Sequence, residues 1–195
     1  MSTPESVFER ALLFCAEAHR GAKRKLGSTP YILHPMEVAT IAATLTSDEE
    51  ILAAALLHDV IEDTPFTEED VRSRFGNRIA DLVLSETEDK MRDRPANETW
   101  RIRKEKSLSV LTRSSDPGVK IIWLSDKLSN IRSFYRNYLT LGSAMWERFN
   151  QRDPAQHAWY YRTIRQLTQE LSDTPAWQEF TEKVNFIFKD IKDHE

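Results

Sequence analysis

ILAAALLHDVIED, residues 51–63, runs seven apolar residues straight into a histidine and an aspartate. A stretch that apolar at helical length belongs to a core helix. It is too short to cross a bilayer and has acids on both sides. Burying the His58 imidazole beside the Asp59 carboxylate costs free energy unless something pairs with them, and a metal ion is one such partner. If the helix continues, His58 and Glu62 stand four apart, as do Asp59 and Asp63, so two successive turns present an imidazole and three carboxylates toward one side. Taken alone, a His-Asp pair fits a capped helix end with solvated acids equally well.

Working outward, helical punctuation recurs. Ser47-Asp48-Glu49-Glu50 is a capping box ahead of the apolar run, Thr64-Pro65 ends it, and Thr67 to Asp70 caps the next helix, which Phe75-Gly76 closes. Upstream, Thr3-Pro4 caps a first helix with Val7, Ala11, Phe14, Cys15 and Ala18 on one face, stopping near Gly21. His34-Pro35 opens a second, because proline pushes its predecessor toward extended geometry while suiting the first helical turn itself. Downstream, a buried helix runs from about Gly118 through VKIIWLSDKLSNIRSF, and Asp153-Pro154 and Thr174-Pro175 open two terminal amphipathic helices. Glu86 to Glu98 is dense in charge and broken by Pro95 and Asn97, which reads as a solvated loop; the charged flap is expected to reach about residue 106. With no alternating strand pattern, the fold class is all-α, and 195 residues fit one domain of ordinary size.

Composition narrows the function classes. Lys and Arg number 27 against 31 Asp and Glu, a net charge of −4, so no overall field favours nucleic acid or an anionic membrane. An anionic ligand must therefore meet a local cluster. Cys15 is the single cysteine, which rules out an intrachain disulfide and a multi-cysteine zinc site and suits a reducing compartment. The opening MSTPESVFER has no apolar signal core, so a cytoplasmic location is expected.

A second polar intrusion falls at Asp126, directly after VKIIWLS, with Asn130 four residues later on the same helical face. His34, behind Tyr31-Ile32-Leu33, would complete a set of two histidines and two aspartates with coordination positions left for water and substrate. Alone, His34 reads more simply as a capping or core histidine. Such mixed ligation suits Mn, Fe or Zn better than Ca, and a bound divalent ion acidifies its water toward a nucleophile. Glu62 and Asp63 are then placed to orient that water or accept its proton, unless they merely end a helix as surface acids. Lys23-Arg24-Lys25 supplies concentrated positive charge shortly before His34, although such triplets are commonly solvated faces.

Three ordered stretches carry a family resemblance: AHRGAKRKLGSTPYILHPMEVA at 18–39, AALLHDVIEDTPFTEEDVRSRFG at 54–76 and VKIIWLSDKLSNIRSF at 119–134. In these the chain resembles the HD-domain hydrolases of the alarmone-metabolising RelA/SpoT superfamily, particularly the small stand-alone Mesh1 type. The resemblance implies a single HD-type helical domain over 1–195, with a metal site between core helices. Its motifs lie in about 7–136, and C-terminal helices over about 150–192 pack on it. It implies a metal-dependent 3′-pyrophosphohydrolase of guanosine tetra- and pentaphosphate that releases GDP or GTP and pyrophosphate in relief of the stringent response. It puts the metal, usually manganese, on His34, His58, Asp59 and Asp126, gives Glu62 and Asp63 the nucleophilic water, and sets Arg24, Lys25 and Asn130 near the nucleotide. The length leaves no room for the synthetase domain of the long relatives.

The chain departs from that pattern at Lys127, where arginine is common, at Ser129, where the long enzymes carry histidine, and at Glu86, where an apolar residue is usual. None is a proposed ligand. The same metal chemistry could serve another phosphate ester, such as the 2′-phosphate of NADPH or a nucleoside monophosphate, and a catalytically silent nucleotide-binding module is the competing class. The sequence accommodates a homo-oligomer without calling for one.

Overall fold

A computed structural model describes residues 5–24 and 28–192. The elements in order are α1 (Val7–Ala18), α2 (Leu33–Ala42), α3 (Glu49–Leu57), α4 (Val60–Asp63), α5 (Glu68–Phe75), α6 (Asn77–Glu86), α7 (Ala96–Arg113), α8 (Pro117–Leu141), α9 (Pro154–Leu167) and α10 (Pro175–Phe188). Two short 3-10 segments, Gly142–Arg148 and Gln169–Leu171, complete them. Among the described residues there is no β-strand, only an isolated bridge between Lys23 and Pro30. The expected all-α class is what the chain adopts. No helix among the described residues is long and apolar enough to cross a membrane.

The chain forms two compact units, each discontinuous in sequence. The first takes the chain through Thr87 together with Asp116–Asp126, and the second takes Glu88–Ser115 and the chain from Lys127 onward.

In the first unit α3 is the central element, packed against α1, α2 and α6. Ala53, Ala54, Ala55, Leu56 and Leu57 are wholly buried. The three alanines let neighbouring helices approach closely, and each buried leucine contributes about 1.5–3 kcal/mol. Gly118, near the start of α8, is needed for the same reason. A Cβ there would lie 2.9 Å from Ile51 Cγ1 and 3.0 Å from Leu82 Cδ2, so α8 seats against α3 and α6 only without a side chain. Thr67 and Asp70 form the expected capping box of α5, and Gly76 ends it at φ 89°.

Several expectations for this unit are corrected. Thr3-Pro4 lies outside the described residues, and the cap of α1 is Ser6, whose hydroxyl accepts from the Glu9 N–H in a capping box. The cap of α3 is Asp48 rather than Ser47, its carboxylate accepting from the Glu50 N–H. Helix α2 begins at Leu33, so His34 is already helical; the Leu33 and His34 N–H groups donate to Pro30 and Tyr31 carbonyls and tighten the turn ahead of Pro35. The apolar run does not continue unbroken through Asp63: α3 stops at Leu57 and α4 starts at Val60, leaving His58 and Asp59 in the junction. Glu86 does not open a solvated segment but is the buried last residue of α6.

In the second unit α9 packs on α10 and on α7. Asp153 and Thr174 cap α9 and α10 as the two X-Pro pairs predict, and Tyr160, Ile164, Phe180, Val184 and Ile187 are buried. The charged flap is shorter than expected. Residues 87–95 are non-helical, and from Ala96 the chain is helix α7, burying Trp100, Leu108 and Leu111. Arg103 turns inward and pairs with Glu88, whose other carboxylate oxygen is 2.8 Å from Lys104 Nζ. Both basic side chains are thus engaged with an acid.

Candidate metal centre

Three segments of the first unit deliver the polar side chains. The loop after α1 is closed by backbone bonds: the Tyr31 N–H donates to Ala22 O at 2.9 Å, and the Arg24 N–H to Thr29 O at 3.1 Å. That closure places Tyr31 at the approach to α2 and His34 in its first turn, where the missing N–H of Pro35 costs no helical bond. The α3–α4 junction supplies His58 and Asp59, and α8 supplies Asp126.

His34, His58 and Asp126 are all buried, and one ligand atom of each lies within 4.8 Å of the others. His34 Nε2 is 3.0 Å from Asp126 Oδ1 and 3.5 Å from Asp59 Oδ2. His58 Nε2 is 3.0 Å from Asp59 Oδ2 and 3.6 Å from Asp126 Oδ1. The structure therefore brings together all four residues singled out as ligands.

The tautomer of His58 tests whether a cation fits. Its Nδ1 lies 2.8 Å from Ala55 O, a contact that only an Nδ1–H can make favourably. Nε2 is buried without a well-aligned hydrogen bond, although two carboxylate oxygens stand close by. A neutral ring so oriented turns a lone pair toward negative oxygens, an arrangement a cation between them relieves. A proton competes for the same place. Burial opposes a charge on His58, yet the Asp59 and Asp126 carboxylates hold its pKa well above the usual imidazole value. Burial likewise opposes the Asp59 charge, but the His58 and His34 rings hold that carboxyl below the usual carboxylate range. Two imidazole nitrogens and two carboxylates suit a divalent transition ion.

Around this cluster Tyr31 is the residue the sequence reading passed over. Its hydroxyl donates to Asp59 Oδ2 at 2.5 Å and lies 3.1 Å from Asp63 Oδ2. Burial, reinforced by the Asp59 and Asp63 charges, pushes its pKa up, so it stays a donor. Its ring is 4.8 Å from His19 and 5.9 Å from His34, and the Arg24 guanidinium carbon sits 5.6 Å from the ring centroid. His19 is itself buried, and desolvation lowers its pKa, keeping it neutral. The sequence signal was slight: a tyrosine three residues before a candidate ligand, which reads as an apolar lead into a helix.

The remaining candidates fall as follows. Glu62 and Asp63 lie in α4, half-buried and exposed respectively. Arg24 is half-buried over Tyr31, and Lys25 lies outside the described residues. Asn130 follows Asp126 by one turn of α8 and belongs to the second unit.

Known proteins resemble the chain in sequence and in fold. The guanosine-3′,5′-bis(diphosphate) 3′-pyrophosphohydrolase of Aquifex aeolicus is 39% identical over 127 residues, which are 65% of this chain and 18% of that protein. The bifunctional (p)ppGpp synthase/hydrolase SpoT of Escherichia coli K12 is 40% identical over 136 residues, 67% of this chain and 19% of that one. The chain thus spans under a fifth of the length of these curated relatives. A solved structure described as a metazoan ortholog of SpoT that hydrolyzes ppGpp matches with TM-score 0.70 at 29% identity, covering 97% of both chains. One from Listeria monocytogenes EGD-e matches with TM-score 0.68 at 32% identity, covering 83% of this chain and 97% of the other. Residues 11–152 match the HD domain family, a span that includes His34, His58, Asp59 and Asp126, and the chain belongs to that family.

Proposed function

We propose that the chain is a metal-dependent 3′-pyrophosphohydrolase of guanosine tetra- and pentaphosphate, working as one HD-type hydrolase domain with manganese as its ion. The observation that carries this reading is the buried His34, His58 and Asp126 cluster with Asp59 at 3.0 Å from His58, in a chain about 40% identical to proteins named for that reaction.

In this reading His34, His58, Asp59 and Asp126 hold the ion. A bound divalent ion lowers the pKa of water and draws charge from phosphate oxygens. Asp63, with Glu62 beside it, orients the attacking water and takes its proton. The water oxygen forms a bond to the phosphorus next to the sugar, the bond from that phosphorus to the 3′ oxygen breaks, and the 3′ oxygen gains a proton. Pyrophosphate leaves, with GDP from the tetraphosphate or GTP from the pentaphosphate. Arg24 and Lys25 meet the negative charge that gathers on the phosphates, and the arginine plane can also lie against a base. Asn130 completes the nucleotide contacts.

The test is product analysis with guanosine tetraphosphate, manganese, a chelator control and the Asp59→Ala variant, run beside NADPH and a deoxynucleoside monophosphate. GDP and pyrophosphate are expected only with metal and intact Asp59, in a variant shown to be folded. Turnover of another phosphate ester alone would reassign the substrate. Nucleotide binding without product, in a folded and metal-loaded chain, would make it a binding module.

A further inference from the structure

Tyr31 is tied to several parts of the site. Through its backbone it accepts from the His34 N–H at 2.9 Å and donates to Ala22 O at 2.9 Å, joining the first turn of α2 to the loop that carries Arg24. Its ring is fixed by His19 on one side and the edge of His34 on another, with Arg24 above it. So fixed, the hydroxyl is aimed between two carboxylates, 2.5 Å from Asp59 Oδ2 and 3.1 Å from Asp63 Oδ2. The shorter contact lies in the range of a charge-assisted O–H to carboxylate bond, which is stronger than a neutral one.

We propose that Tyr31 is a positioning residue for the hydrolysis, its hydroxyl setting the Asp59 ligand and the Asp63 acid at a fixed separation. This rests on the site being the hydrolytic metal centre described above. Asp59 Oδ2 faces both histidine Nε2 atoms, and an ionised carboxylate oxygen has two lone-pair directions. It can accept from Tyr31 on one and keep the other toward the histidines. The hydroxyl therefore restrains rotation of the Asp59 carboxylate without taking up the lone pair a cation needs. Asp63 sits on the exposed side of α4, and the same hydroxyl gives its side chain a fixed neighbour. Without it, Asp63 loses the contact that ties it to the Asp59 ligand, and the water it serves is held less often in line with the phosphorus.

Tyr31→Phe is the test, because it keeps the ring packed between His19 and His34 and deletes only the hydroxyl. The fold is checked by thermal melting. Two readouts follow. Manganese affinity of the chelator-stripped protein, measured by calorimetry with no nucleotide present, is expected to weaken by about 10-fold, as for other groups that orient a ligand from behind. At saturating manganese, kcat for guanosine tetraphosphate is expected to fall by about 10-fold or more while KM changes by less than about 2-fold. Unchanged manganese affinity together with unchanged kcat would overturn the proposal. A rise in KM with kcat intact would overturn it too, making Tyr31 a substrate contact. If the unsubstituted chain turns over no guanosine tetraphosphate, the substrate reading fails separately, and the manganese affinity of Tyr31→Phe then decides the positioning role by itself.

Discussion

His58 Nδ1 lies 2.8 Å from the carbonyl oxygen of Ala55, a contact that turns Nε2 toward Asp59 and Asp126 at the C-terminal end of α3. In an unbroken helix the Ala55 carbonyl would accept from the backbone N–H four residues on, at Asp59. A side chain that takes the carbonyl competes with that bond. The chain keeps right-handed helical angles through His58 and Asp59, and the helix resumes at Val60.

Gly118 sets how closely α8 seats against α3, and Asp126 rides on the same helix two turns later. Gly118→Ala places a Cβ 2.9 Å from Ile51 Cγ1 and 3.0 Å from Leu82 Cδ2. Overpacking of that kind costs about 1–3 kcal/mol. Differential scanning calorimetry should show a melting temperature lower by roughly 3–10 °C, on the scale expected for a chain of this size. An unchanged melting temperature would mean the seat is looser than the structure has it.

The Glu88, Arg103 and Lys104 group makes a different kind of prediction. Arg103 pairs with Glu88, and its Nε donates to Thr99 Oγ1 at 3.2 Å, while the Glu88 side chain is 8% exposed. Arg103→Ala leaves the buried Glu88 carboxylate without its arginine partner and should destabilise by about 3 kcal/mol, near the low end for breaking a buried pair. Arg103→Met combined with Glu88→Gln removes both charges and should cost markedly less. Urea unfolding of both variants checks this, and equal losses would contradict it.

His157 supplies a pH dependence away from the metal residues. Its ring packs against Trp146 at 5.0 Å, Trp100 at 5.3 Å and Phe149 at 5.5 Å, and its Nε2–H donates to Gln151 O at 2.8 Å. Burial lowers its pKa from 6.5; Lys104 adds to the lowering, while the Gln151 bond and Asp153 act the other way. The unfolded chain thus binds the extra proton first as pH falls. Stability is fully present above about pH 6.5 and is lost as pH drops toward the folded value. Melting temperatures between pH 7.5 and 5.5 should fall more steeply for the unsubstituted chain than for His157→Phe. Parallel slopes would contradict the assignment.

Much of the fold was legible because helix ends carry chemical signatures. Thr67 with Asp70, Asp153-Pro154 and Thr174-Pro175 each mark a start that the structure keeps. Helix α7 was hidden because Arg101, Arg103, Lys104, Glu105 and Lys106 mask the thin apolar stripe of Trp100, Leu108 and Leu111, and one of those charges is itself buried against Glu88. For the site, His34, His58, Asp59 and Asp126 stood out as polar residues against apolar runs, and the structure brings them together. Tyr31 did not stand out. Its role depends on backbone bonds that close the loop from Ala22 to Tyr31, and residue spacing does not encode such closure.

In the proposed hydrolase His34, His58, Asp59 and Asp126 would enclose one divalent ion. Crystals of the chelator-stripped chain and of Asp126→Asn, both soaked in manganese and measured at the manganese absorption edge, test it most directly. One strong anomalous peak per chain is expected, touching His34 Nε2, His58 Nε2 and the carboxylates of Asp59 and Asp126, weakened or lost in Asp126→Asn. A peak elsewhere, or one of equal strength in the variant, would contradict it.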